Sequence, residues 1–245
     1  MSLTLKNITD VYEEYLRKEN DKNAVERYIG KGGWFSASNA GGCYRKQAYK
    51  TIKEETDIPD QKSLFRMRIG SLIHDDIQRA LLKYKHDGIL ITEGEIEIPE
   101  LNVRGYFDIA ELNGGIELVD LKTIAAYSWK RKFGRKENRD PSPSNKYELQ
   151  LGTYGIGLQN KIGKDISTMR LIYYKKDDST FKEIIVPKSY MNQAVEYWQE
   201  VNRLCLPEPK WDNLVPGEDM GIPFESWECN FCQYKSKCPS PFKKG

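Results

Sequence analysis

The chain has 245 residues, 39% of them hydrophobic and 30% charged, the make-up of an ordinary globular protein with room for one good core, or one core and a small appendage. Its formal net charge of +2 is too small to imply a polyanionic partner, so any argument for one must be local. No apolar run approaches the roughly 18 residues of a membrane span, and the N-terminus lacks the basic start and apolar core of a secretory signal. The expectation is a cytoplasmic protein with no membrane attachment, whose five cysteines sit in a reducing compartment and are free for metal or redox chemistry.

In chain order, Leu3 to Lys18 has helical apolar spacing through Leu5, Ile8, Val11, Tyr12, Tyr15 and Leu16, and predicts a surface helix. A glycine-rich turn with Trp34 and Phe35 leads to Ser36, Ala37, Ser38 and Asn39, read as capping residues before a helix over Tyr44–Lys53. The longest predicted helix covers about Lys62–Tyr84, with Phe65, Ile69, Ile73, Ile77, Ala80 and Tyr84 on one side. Strands are predicted at Leu90–Ile98, Val103–Leu112 and Ile116–Thr123. Residues Trp129 to Lys146 are basic and then rich in Pro and Ser, and read as a mobile loop. A helix over Tyr147–Gln159, strands at Thr168–Lys176 and Phe181–Pro187, and a helix over Lys188–Leu204 follow. The tail from Cys205 holds prolines, glycines and three clustered cysteines. There is no internal repeat. Three strands, a helix, a further strand and flanking helices predict a mixed α/β sheet, not a parallel βαβαβ one.

The chemistry centres on the predicted hairpin from Val103 to Thr123. Each strand carries one acid near its far end, Asp108 and Asp120. Lys122 follows two residues after Asp120, so it shares a face with Asp120, Ile116 and Leu118. A two-residue loop sends the two acids to opposite faces. A three-residue loop pairs Leu112 with Ile116 and sets Asp108 opposite Asp120, and this is the expected register, with Gly114 or Gly115 supplying the left-handed residue. Facing carboxylates with a lysine beside them suit a divalent cation and an attacking water, or simply a salt bridge with Lys122.

His74 stands one helical turn after Gly70, whose missing side chain would let another element come close. Its imidazole is either a third ligand, better suited to manganese than magnesium, or a core-edge histidine. Gln150 and Tyr154, at i and i+4, project from one helix face toward hydrogen-bonding partners such as phosphate or base edges, or form an ordinary helix pair. Cys229, Cys232 and Cys238 have the spacing C-x2-C-x5-C, with Cys43 distant. Three close thiols and a far one match the usual ligation of a cubane iron–sulfur cluster; structural zinc and free thiols are the alternatives. Cys205 reads as a small buried hydrophobe. From Lys130 to Arg139 six of ten residues are basic against one acid, with Trp129 and Phe133 interleaved, a mixture suited to single-stranded nucleic acid or to a solvated charge run.

Taken together and in order, these residues resemble the RecB-type branch of the PD-(D/E)xK nuclease superfamily. More narrowly they resemble its iron–sulfur members, the CRISPR-associated Cas-four-type exonucleases and related phage proteins. The resemblance runs from about Ser38 to Pro239: Cys43 in GGCYRKQAY, His74 in GSLIH, G-x-x-D as Gly105 to Asp108, D-x-K as Asp120 to Lys122, Q-x-x-x-Y as Gln150 to Tyr154, and the cysteine triplet. Phe107 stands where the superfamily name has proline, a position at which that branch often departs.

The resemblance implies a restriction-endonuclease-like core, with a central mixed sheet flanked by helices, in a single nuclease domain over residues 1–245. The core would span about 62–204, and an iron–sulfur module would join 36–60 to 205–245. It implies a metal-dependent DNA exonuclease, processing single strands or ends by metal-activated water. His74, Asp108, Asp120 and the Leu121 carbonyl would bind one or two Mg2+ or Mn2+ ions, Lys122 would be the catalytic lysine, and Gln150 and Tyr154 would position the strand. Cys43, Cys229, Cys232 and Cys238 would hold a 4Fe-4S cluster. DNA would be met through Trp129, Lys130, Arg131, Lys132, Phe133, Arg135 and Lys136, with other DNA-processing proteins as partners. The alternative is a non-catalytic iron–sulfur DNA-binding or adaptor subunit.

Overall fold

Two antiparallel strands, β3 (Val103–Asn113) and β4 (Gly115–Ile124), form the centre of the computed structural model, which describes residues 8–28, 34–84, 88–140, 144–217 and 226–242. Gly114 between them sits at φ +70°, a region that glycine enters without a Cβ penalty. The turn pairs Leu112 with Ile116 and Ala110 with Leu118, which is the register expected of the longer loop. A slip of one residue would have turned Asp120 to the other face.

β2 (Ile89–Ile98) runs antiparallel along one edge of β3 over Val103 to Leu112. The far edge of β4 takes β5 (Ile166–Lys175) in parallel, and β6 (Phe181–Ile185) adds antiparallel to β5. β1 (Phe35–Ser36) lies parallel to Val103 and Arg104. Among the described residues this makes a six-stranded mixed sheet. Because β2 occupies one edge of β3, β1 and β4 must share the other. β1 pairs with residues 103–104 and β4 with residues 109–113, so residues 105–108 lie in a gap between the two.

The alternation of β4 divides the core. Ile116 and Leu118 join the larger cluster, with Leu149, Leu151 and Leu158 of α5 (Lys146–Ile162) and Trp198 of α6 (Ser189–Cys205). Val119 and Leu121 face the opposite way, onto Ile77 and Leu81 of α3 (Gln61–Leu81). α5 is buried nearly all round, as befits a helix with the sheet on one side and α6 on the other. α1 (Ile8–Tyr28) leans on α3 by packing Tyr12 against Phe65. α2 (Tyr44–Thr51) meets α6 through the Tyr44–Tyr197 ring stack.

Several expectations are corrected. The first helix runs well beyond Lys18, to Tyr28; Leu3 and Leu5 fall outside the described residues. Ser36 is in β1, and Ala37–Asn39 form a 3-10 turn, so neither caps the next helix; Cys43 is the N-cap of α2. The anticipated apolar stripe of α3 is not a buried one: Ile69 is 47% and Tyr84 74% exposed, and the helix buries Leu64 and Gln78 instead. The sheet face that α3 meets is the small patch of Ile109, Val119 and Leu121, too little apolar surface to cover the whole helix. Most of the expected loop after Trp129 is ordered: α4 (Ala126–Phe133) is followed by a 3-10 turn at Lys136–Asn138, while 141–143 fall outside the described residues. Trp129 and Phe133 pack against the larger core, with Phe133 edge-on to Tyr173 at 5.0 Å. Their spacing of four puts both rings on one helix face, and burying that face outweighs solvating the charges around it.

Candidate active site and cysteine cavity

Asp108 lies in the gap of β3 between β1 and β4. There the backbone amide of Leu121 donates to Asp108 Oδ2 at 2.6 Å, and His74 Nδ1 stands 3.7 Å from Oδ1. In an extended strand the N–H and C=O of one residue point to the same edge, so the Leu121 carbonyl also faces the Asp108 side. His74 reaches the site because α3 comes close to β4: a Cβ on Gly70 would lie 3.1 Å from Thr123 Oγ1. Gly105 does the same for α5, since a Cβ there would lie 3.2 Å from Tyr154 Cε1 and 2.8 Å from Ala37 Cβ.

On the α5 side, Lys122 Nζ ion-pairs with Asp120 Oδ2 and donates to Gln150 Oε1 at 3.1 Å. Gln150 Nε2 in turn donates to the Tyr154 hydroxyl at 2.8 Å. The Lys122 ammonium also lies 4.9 Å over the Tyr147 ring. All seven residues singled out in the sequence thus meet around one gap in the sheet, in two linked chains: His74–Asp108–Leu121 and Asp120–Lys122–Gln150–Tyr154.

The electrostatics are those of an acidic pair short of positive charge. Asp120 is 1% exposed, and burial pushes its pKa up to about 7, with the Asp108 charge adding to the rise and Lys122 opposing it. Burial also acts against ionised Asp108, but the neighbouring His74 imidazole and the Lys122 charge outweigh it and hold that carboxyl below the usual range. Burial disfavours a charged His74, and Asp108 more than offsets it, so the imidazole titrates above its ordinary value. Two buried carboxylates, an imidazole and a backbone carbonyl edge are a donor set that fits a hard divalent cation. Among the described residues, however, no three His, Cys, Asp or Glu side chains converge as a ready-made cage. Asp120 Oδ2 is ion-paired with Lys122 but accepts no hydrogen bond from the described residues, while Asp108 Oδ1 faces His74 and Oδ2 accepts from the Leu121 amide.

Two residues at this site carried no flag in the sequence. Gln78 is buried, donating to the Asp108 carbonyl at 3.2 Å and to Glu93 Oε1 at 2.6 Å. Its position one turn after His74 was a usable signal. Glu93 interrupts β2 at φ +51°, beside Asp108 in the ladder, and no sequence pattern announces a left-handed glutamate.

The four cysteines of the predicted ligand set, Cys43, Cys229, Cys232 and Cys238, all line one cavity of about 130 Å3. Burial pushes the Cys43 thiol up to about 12 and raises that of Cys232 as well. All four are soft donors, the type that binds iron or zinc, but among the described residues no three of them converge as a ready-made cage. The tail reaches the cavity by contacts of its own. Tyr234 packs on Tyr49 at 5.0 Å, Asp57 N–H donates to the Gln233 carbonyl at 2.6 Å, and Lys237 pairs with Glu54 at 2.5 Å. Cys205 is fully buried away from this cavity, as a small hydrophobe. Of the expected DNA-contact residues, Lys132 pairs with Glu148 at 3.1 Å and Arg131 with Asp140 at 3.1 Å, while Lys130, Arg135 and Lys136 are exposed.

Among the described residues no helix is long and apolar enough to cross a membrane. A search among curated proteins returned no match. Among solved structures, that of SSO0001 is similar over 94% of this chain and 96% of its own, at 17% identity and a TM-score of 0.59, a likeness of fold. An alkaline exonuclease from Laribacter hongkongensis is similar over 73% of this chain and 90% of its own, at 14% identity and a TM-score of 0.48. The family described as the PD-(D/E)XK nuclease superfamily matches residues 44–239, which takes in the whole gap in the sheet with its acids and lysine, and the chain therefore belongs to that superfamily and is a nuclease.

Proposed function

We propose that the chain is a metal-dependent DNA exonuclease that hydrolyses phosphodiester bonds at single strands or ends. Nucleases of its superfamily generally use divalent metals such as Mg2+ or Mn2+. The observation that carries the reading is the β3–β4 register, which leaves Asp108 on the Leu121 amide next to buried Asp120, with Lys122 ion-paired to Asp120. Asp108, Asp120, His74 and the Leu121 carbonyl would hold the cation, whose charge lowers the pKa of bound water and offsets the charge developing on phosphate. Lys122, released from Asp120, orients the attacking water or steadies the phosphate oxygens. Gln150 holds Lys122 on one side and Tyr154 on the other, which fixes the ammonium relative to the acids.

Cys43, Cys229, Cys232 and Cys238 would ligate a 4Fe-4S cluster that clamps the tail to α2, a structural role in a module formed from 36–60 and 205–245. The support is that the four line one cavity and that the segments around them already touch. A reducing, cytoplasmic compartment is the setting this reading requires, since it keeps thiols available for metal.

End-labelled single and double strands incubated with manganese, magnesium or chelator test the activity. Stepwise shortening from an end with metal, and none with chelator, is the expected result. Binding of DNA with no metal-dependent degradation would instead favour an adaptor subunit.

A further inference from the structure

The tail carries two rings that the core does not use. Trp227 is 49% and Phe231 79% exposed, and the two meet edge-on with centroids 6.3 Å apart. Large rings this exposed contribute little to folding, and as a pair they make a patch that asks for an occupant. The patch is joined to the acidic gap by two consecutive residues of α5. Lys146 Nζ lies 5.4 Å over the Trp227 ring and ion-pairs with Glu228, and its neighbour Tyr147 holds the Lys122 ammonium against its own half-exposed ring. Both rings line the mouth-side wall of the cysteine cavity, together with Arg45, Lys46 and Lys146 and the single acid Glu228.

Exposed rings bordered by cations complement an unpaired polynucleotide, which offers a π-face at every base and a negative charge at every phosphate. A duplex hides its base faces in the stack, whereas these rings stay open and the patch continues through Lys146 and Tyr147 to the acidic gap, the path an unpaired strand would follow. We infer that Trp227 and Phe231 are a stacking platform for bases of single-stranded DNA, with Lys146 on the backbone, leading the strand past Tyr147 to Lys122, Asp120 and Asp108. The destination, though not the platform, rests on the nuclease reading above.

The test is the affinity of the full-length chain for a 2-aminopurine-labelled single strand, measured in chelator so that no cleavage interferes. Trp227→Ala and Phe231→Ala should each weaken binding about 5- to 150-fold, the range for loss of one stacked base. Phe231→Tyr should retain it, and affinity for a blunt duplex should change little. Phe231→Ala removes the more exposed ring, and an unchanged melting temperature and metal content keep its result free of misfolding. Single-strand affinity equal to wild type in Phe231→Ala, an equal loss on duplex, or a concentration-dependent dimer abolished by Phe231→Ala would each overturn the platform. Wild-type chain that binds single strands through these rings but never cleaves with metal would refute the nuclease reading and leave the platform standing.

Discussion

At the scale of single residues, the burial of Asp120 beside Asp108 is the feature with most chemical consequence. A carboxyl whose pKa is pushed up to about 7 must give up its proton before it can hold a cation. Below about pH 7 the proton competes, so apparent affinity for Mn2+ should fall by up to about tenfold per pH unit, and above that pH it should level off. Calorimetric titration with Mn2+ between acidic and mildly alkaline pH checks this, and a flat profile would contradict it. Asp120→Asn should remove the cation along with the competition. Lys122→Ala should leave Mn2+ binding in place and slow cleavage by about 100- to 1,000-fold, the usual cost of one preorganised charge at a reacting phosphate. Full cleavage by Lys122→Ala would reduce the lysine to a salt-bridge partner.

At the scale of elements, the β3–β4 turn and α4 each lend themselves to measurement. Gly114 has open space around it but a φ of +70°. Gly114→Ala should therefore cost about 1 kcal/mol of stability from the left-handed backbone alone, with Gly114→Asn nearer to neutral. Chemical denaturation separates these. On α4, Trp129 lies against Phe133 at 4.9 Å and packs on the core. Trp129→Ala should cost about 2 to 3 kcal/mol, somewhat below a fully buried tryptophan. Its effect on DNA affinity should be smaller than that of removing the exposed Lys130, Arg135 and Lys136 together. The helix was missed because its basic residues dominate the composition. What folds it is the i, i+4 spacing of its two rings against Phe133's neighbour Tyr173, a contact supplied by β5 from far along the chain.

At the scale of the whole molecule, the tail returns to the first quarter of the chain at α2 and closes a long loop around the nuclease core. If a cluster spans Cys43 and the tail triplet, Cys232→Ser should strip the brown chromophore and lower the melting temperature, and Cys205→Ser should leave the chromophore in place. A colourless, zinc-loaded wild-type protein would replace the cluster with the rival metal. The contacts Tyr49–Tyr234, Glu54–Lys237 and Asp57–Ser236 predict that the tail still docks in Cys232→Ser, more weakly, so proteolysis of that variant should begin in the tail and spare the core.

Local pattern was enough to place most elements and to pick out residues that the fold brings together. Period-two alternation located the strands, the Asn113-Gly114-Gly115 turn carried the register, and fixed spacings put Lys122 beside Asp120 and Gln150 beside Tyr154. Each depends only on backbone geometry within a few residues. What the chain order could not contain was everything settled by distant partners. β1 and β4 share an edge of β3 and leave the gap where Asp108 sits; Gln78 and a left-handed Glu93 brace that aspartate; the Lys122 ammonium lies on Asp120; and Trp129 turns inward. Those outcomes follow from competition among surfaces for burial and among buried polar groups for partners, and that competition is decided only when the sheet and its helices are assembled.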